Sequence, residues 1–394
     1  MRRVFLDNNS TTPVDPRVLD KMLPYLKGEF GNAASNHPYG WSALTAVEEA
    51  RTSIANILGV LKSKEIIFTS GATEANNTAI LGLAYKIKKQ HPKLKAHFIT
   101  SKAEHSSVLG PFEVIEKDFA YDVTYVEVNE FGQVEVGQVE KYIRPETVLM
   151  SFIWGNNEIG SINPMRLLSE LAHKNNILFH TDATQAFGKI SEVNLNSVKF
   201  DMLSLSGHKI YGPKGVGALY VGSKVKDSVG GGLHPLLWGG GHEDGMRAGT
   251  LNVPGIVGLG EACRLINYSE CEDIKLKAKY FLMELQNYFQ IINSTSLNKL
   301  PSKEIKLNGH PVDRLPGQLN LQFINTRMDQ LIHQMASIAV STTSACGSGG
   351  VSHVLKAIGL SLNEIHSSVR IGIGRFTTKD DLDFALQTFK NILK

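Results

Sequence analysis

Three short segments carry side chains whose type and order could do chemistry. The sharpest is Ser204-Leu205-Ser206-Gly207-His208-Lys209-Ile210-Tyr211-Gly212-Pro213-Lys214-Gly215. A lysine just past a buried strand, inside a turn of Gly, Ser and His, is placed to form a Schiff base, because restricted solvation can leave its amine partly neutral and nucleophilic. Ser206 and His208 would be free to donate to a phosphate. A surface lysine beside a glycine-rich turn is the plainer alternative, and it suits Lys214 better than Lys209. The second segment, Phe179-His180-Thr181-Asp182-Ala183-Thr184-Gln185, delivers a carboxylate at the end of a strand. There it can pair with a protonated pyridine nitrogen or simply cap the next helix. The third, Phe68-Thr69-Ser70-Gly71-Ala72-Thr73-Glu74, follows a strand and opens a helix. Its unpaired N–H groups and dipole suit a phosphate, although by itself it reads equally as an ordinary helix start.

Taken together, phosphate donors, an acid after one strand and a lysine after the next are the parts of a pyridoxal 5'-phosphate site. Three further patches add to them. Trp154-Gly155-Asn156-Asn157-Glu158 follows another strand and offers amides. Gly239 to Thr250 is glycine-dense, which suits a tight loop against a ligand or a neighbouring chain. Ser344-Ala345-Cys346-Gly347-Ser348-Gly349-Gly350 sets a cysteine among small residues, where a structural cysteine would sit in an apolar run, as Cys263 does. Arg370, in His366-Ser367-Ser368-Val369-Arg370, is suited to a bidentate grip on a carboxylate or is merely solvated.

Elements must bring these residues together. Short β-rich runs at 66–69, 97–100, 123–126, 148–153, 177–181, 202–204 and 217–221 alternate with amphipathic stretches at 40–58, 72–89, 106–117 and 164–174. That alternation predicts an α/β domain with a mostly parallel seven-stranded sheet flanked by helices. From Pro254 one long helical stretch is expected to run towards Phe289, with Ala262, Leu265, Leu276, Tyr280, Leu282 and Leu285 buried. Beyond it, strands at 318–323 and 369–373 mix with helices at 329–337, 352–358 and 379–393. The expected division is a large domain over 1–253 and a smaller α+β domain over 254–394, with segment 1–15 packed on the smaller one.

Composition bounds the partners. The 394 residues carry 41 Lys plus Arg against 38 Asp plus Glu, a net charge of +3, which lacks the basic excess of a nucleic-acid binder. Three cysteines, Cys263, Cys271 and Cys346, with no C-x-x-C pair, exclude a disulfide scaffold and argue against a thiolate metal site. With no signal-like start and no long apolar run, the expectation is a cytoplasmic protein without a membrane partner.

The motifs SGATE, EHSSV, NNEIG, DATQ, SGHKIYGPKGVGALYV, GGGHEDGMRAGT, SAC and HSSVRIGIGRFTT stand in the order seen in cysteine desulfurases. The chain resembles that family over about residues 4 to 380, and with it the fold-type I pyridoxal phosphate enzymes of the class V aminotransferase group. The resemblance implies phosphate contacts at Ala72, Thr73, Ser206 and His208. It implies a histidine stacked on the pyridine ring and shuttling protons at His105. Asn157 would touch the cofactor's phenolic side and the substrate, Asp182 the pyridinium nitrogen, and Gln185 the phenolic oxygen. Lys209 would be the Schiff-base lysine, Arg370 the clamp on the substrate carboxylate, and Cys346 the persulfide-forming thiol. Thr250 would reach the phosphate from the other subunit of a homodimer. The implied reaction takes L-cysteine to L-alanine and passes sulfur to an acceptor or iron–sulfur scaffold protein. A selenocysteine lyase or aminotransferase of the same fold is the alternative. The chain departs from the family pattern at Ala33, Thr343 and Gly372, and the segment after Cys346 looks short.

Overall fold

The computed structural model describes residues 2–228, 231–292, 304–342 and 351–393. Its strands, in chain order, are β1 (Val4–Phe5), β2 (Ile66–Thr69), β3 (His97–Ser101), β4 (Asp122–Val126), β5 (Thr147–Ile153), β6 (Leu178–Asp182) and β7 (Met202–Ser206). They continue with β8 (Gly217–Val221), β9 (Gln290–Ile292), β10 (Glu304–Leu307), β11 (Gln318–Phe323), β12 (Ile338–Ala339), β13 (Ser341–Thr342) and β14 (Ser368–Gly372).

Alternate residues of the central strands enter different cores, which is why their sequences read as unbroken apolar runs. Ile66, Phe68, Met150, Phe179 and Leu203 face one cluster, whereas Ile67, Leu149, Leu178 and Met202 face another on the opposite side. The resulting seven-stranded sheet has the order β2-β8-β7-β6-β5-β3-β4. β8 runs antiparallel to both β2 and β7, and the remaining pairs are parallel. The parallel strands therefore end on one edge, where an open α/β sheet binds its ligand.

The second sheet, β13-β14-β11-β10-β9, belongs to the smaller C-terminal domain. β1 pairs in parallel with β12, and Val4 and Leu6 enter the core formed by Phe281, Leu319, Leu321, Val369 and Phe389.

The expected single helix from Pro254 is two helices, Val253–Arg264 and Tyr268–Gln286. Asn267 caps the second by accepting from the Ser269 N–H, and this restart shifts the helical phase. Ile274, Ala278, Phe281 and Leu285 are the buried stripe, while Leu276, expected inside, is 64% exposed. The first helix packs Ile256, Val257, Leu259 and Ala262 into the core of the large sheet. Its packing therefore differs from the expectation that everything after 253 turns to the smaller domain.

Candidate active site

β6 ends on Asp182 and β7 on Ser206, and Lys209 closes a 3₁₀ turn, Gly207–Lys209, directly after β7. His105 caps the helix Ser106–Val114 after β3. A cavity of about 850 Å³ opens at this edge, lined by Ala72, Thr73, His105, Asn157, Asp182, Gln185, Ser206, His208, Lys209 and Arg370. Every site residue that the family resemblance implied thus lines this cavity except two. Thr250 is exposed and stands outside that lining, and Cys346 lies outside the described residues.

The Lys209 Nζ donates to the carbonyls of Asn9 and Ser10, each at 2.6 Å. Burial, helped by the Lys189 and Arg370 charges, brings its amine down to about 7. A substantial neutral fraction near neutrality is what a nucleophilic amine requires. Asp182 accepts from Asn76 Nδ2 at 2.9 Å and from the Thr184 N–H at 2.9 Å. Gln185 donates to the Asn9 carbonyl, and its Oε1 accepts from Lys189 Nζ at 3.1 Å. Burial pushes Lys189 down to about 8. His208 is brought to about 4 by burial and by the charges of Lys209 and Lys214, so its ring is neutral at physiological pH.

Arg370 sits inside β14, with its side chain 6% exposed, which overturns the solvated alternative. Its Nη2 donates to Asp7 Oδ1 at 3.0 Å and its Nη1 to the Asn157 carbonyl at 3.3 Å, while Ser341 Oγ donates to Asp7 Oδ2 at 2.8 Å. Arg370 Nε is buried with no partner among the described residues. Arg370 as a residue lines the cavity, where a guanidinium can take a carboxylate.

These residues fit pyridoxal phosphate. The helix Ala72–Gln90 has no side-chain cap at its N-terminus, and Gly71 before it takes φ 155°, a conformation that favours glycine. Thr73 and Ser206 add hydroxyls beside those free amides. The acceptor-only Asp182, the poised amine of Lys209 and the imidazole of His105 complete the donor and acceptor set.

Asp7, Asn9, Ser10, Asn76, Ser107, Lys189 and Ser341 were not assigned roles from the sequence. Asn9 and Ser10 act through backbone carbonyls, which leave no side-chain signal. Asp7 lies 363 positions from the arginine it holds. The acid-plus-amide pattern of Leu6-Asp7-Asn8-Asn9 was the available hint.

Comparison with known proteins agrees with this geometry. The family described as Aminotransferase class-V matches residues 4–384. The chain is 42% identical over 388 residues to cysteine desulfurase IscS of Rickettsia prowazekii (strain Madrid E), covering 97% of this chain and 89% of that protein. It is 40% identical over 390 residues to the cysteine desulfurase of Homo sapiens, covering 98% and 81%. Among solved structures, a NifS-like protein superposes with TM-score 0.87 at 32% identity, covering 99% of each chain. SspA in complex with cysteine superposes with TM-score 0.80 at 35% identity, covering 95% of this chain and all of that one. A class V match over residues 4–384 and 40–42% identity over nearly the whole chain, on a fold shared with the solved structures, place the chain in the cysteine desulfurase family of class V aminotransferases.

Proposed function

We propose that this protein converts L-cysteine to L-alanine and holds the released sulfur as a persulfide on Cys346. The observation that carries the reading is the poised Lys209 amine facing the same cavity as Asp182 and Arg370. Bound pyridoxal phosphate would supply the electron sink that lets bonds at the substrate's Cα and Cβ break. Ala72, Thr73, Ser206 and His208 would hold its phosphate, Asp182 its ring nitrogen and Gln185 its phenolic oxygen. Lys209 Nζ would anchor the aldehyde carbon and, once free, take the substrate's Cα proton. Arg370 would hold the substrate carboxylate with Asn157 beside it.

Sulfur transfer needs a thiolate. Cys346 would attack the substrate sulfur, forming an S–S bond as the C–S bond breaks. The released electron pair returns to the carbon skeleton, which gains a proton and leaves as alanine. The persulfide then passes to an acceptor, with an iron–sulfur scaffold protein as the proposed partner. The working unit is proposed to be a homodimer, with Thr250 given to the neighbouring subunit's phosphate.

Incubation with L-cysteine should yield alanine and add the mass of one sulfur atom to the peptide containing Cys346. Cys346→Ala should abolish both the adduct and sustained sulfur release. Full-rate sulfide release from cysteine in that variant would overturn the thiolate role.

A further inference from the structure

Beneath the cavity a short hydrogen-bond chain joins Asp182 to His105. Asn76 is fully buried, and its Nδ2 donates to Asp182 Oδ2 at 2.9 Å and to Ser107 Oγ at 2.9 Å. Ser107 Oγ lies 2.8 Å from His105 Nδ1, and the Ser107 backbone N–H donates to that same nitrogen at 3.1 Å.

The direction of each bond follows from the groups at the two ends. Asp182 as a carboxylate only accepts, so Asn76 must present its NH2 group to it. Asn76 Oδ1, pointing the other way, is buried with no partner among the described residues. The second hydrogen of the same NH2 group goes to Ser107 Oγ. The Ser107 backbone N–H can only donate, so Nδ1 is an acceptor and the hydroxyl gives it its single hydrogen. Nδ1 therefore accepts from two donors and carries no proton. Burial also lowers the imidazole pKa, against the opposing pull of Asp182, which favours the neutral ring.

We infer that Asn76 and Ser107 are positioning residues that lock His105 in the tautomer with its proton on Nε2, the nitrogen with no hydrogen-bond partner among the described residues. In that state His105 meets a ligand in the cavity as a hydrogen-bond donor. It has no lone pair at Nε2 with which to accept a proton. Proton abstraction is left to Lys209, which refines the shuttling role that the resemblance implied for His105. The inference rests on the proposed site, where His105 faces the bound cofactor, but its readout does not require turnover.

The test is two-bond proton–nitrogen correlation NMR on ¹⁵N-histidine-labelled protein, loaded with pyridoxal phosphate and unloaded, above the imidazole range. His105 is assigned by comparison with His105→Ala. The wild type should show Nε2 protonated and Nδ1 bare. Ser107→Ala should raise the Nδ1–H form by about fivefold to tenfold, the worth of one hydrogen bond. Asn76→Asp should act in the same direction. Any proton on the introduced carboxyl is claimed by Asp182, so Ser107 turns its hydrogen away from His105. Ser107→Thr, which keeps the hydroxyl, should restore the wild-type ratio. A wild-type ring protonated on Nδ1, or a ratio unmoved in Ser107→Ala and Asn76→Asp, overturns the inference. A protein that shows the lock yet forms no alanine would instead sink the desulfurase reading.

Discussion

Lys209 ends on two backbone carbonyls, and burial with two neighbouring cations favours its neutral form. Its folded-state pKa of about 7 lies below the ordinary lysine value of 10.5. Between those values the unfolded chain binds more protons than the folded one, so stability of the unloaded protein rises with pH through that window. The destabilisation is complete below it, where both states are protonated. Lys209→Met should flatten this rise, leaving a smaller one from Lys189 near 8. Urea midpoints measured across that pH range check it, and a slope unchanged by the substitution would show that Lys209 titrates as a solvated amine. At this scale the reactive types were legible in the chain, because Lys209 and Asp182 announce themselves by type and by their place after strands. Asn76 and Ser107 were not, since an amide in a helix and a serine after its cap look ordinary until folding sets them side by side.

The elements that present these residues are held by buried ion pairs. Glu243 accepts from Arg51 Nη1 and Nη2, each at 2.8 Å, and from the N–H of Phe68 in β2. Arg51 also stacks over the Phe68 ring at 4.7 Å. Arg247 donates to Glu74, whose other oxygen accepts from the Ser70 N–H. The glycine-rich 239–250 segment is thereby tied at two points to the turn proposed to bind phosphate. Glu243 adopts φ 51° and Asp244 φ 53°, left-handed conformations maintained by this clamp. Glu243→Ala should leave the buried Arg51 charge with only the more exposed Glu48 beside it, at a cost of about 3 kcal/mol. Chemical denaturation would check this, and a loss below about 1 kcal/mol would mean that the pair behaves as a surface contact. Strand positions in the large sheet were readable because both faces are buried. The restart at Asn267 was not, because the apolar residues of both helices merge into one apparent pattern.

At the scale of the whole molecule, aromatic residues are left uncovered near the same segment. Phe30, Trp41 and Trp238 are 72%, 54% and 72% exposed, more than large apolar side chains ordinarily are. Phe30 stacks on Tyr39 at the start of the helix Pro38–Leu58, which also carries Arg51. Trp238 immediately precedes the segment that ends on Thr250. This surface is where the proposed homodimer, with its proposed Thr250 contact to the neighbouring phosphate, would be expected to form. The double variant Trp41→Glu with Trp238→Glu should therefore shift the protein to monomer in sedimentation and weaken its hold on pyridoxal phosphate. A variant that stays dimeric and fully loaded would place the subunit contact elsewhere.

The amino-acid order alone determined the α/β class, the large sheet and the reactive types, because strand burial and motif chemistry are local and repeat along the chain. It also separated Cys346, among small residues, from Cys263 and Cys271, which are buried on helices. Only the tertiary structure decided that Asp7 holds Arg370, that Asn9 and Ser10 hold Lys209, and that Asp182 orients His105 through two intermediates. Each of those contacts joins residues distant in sequence, and several use backbone atoms. Their direction follows from donors and acceptors that meet only once the chain has folded.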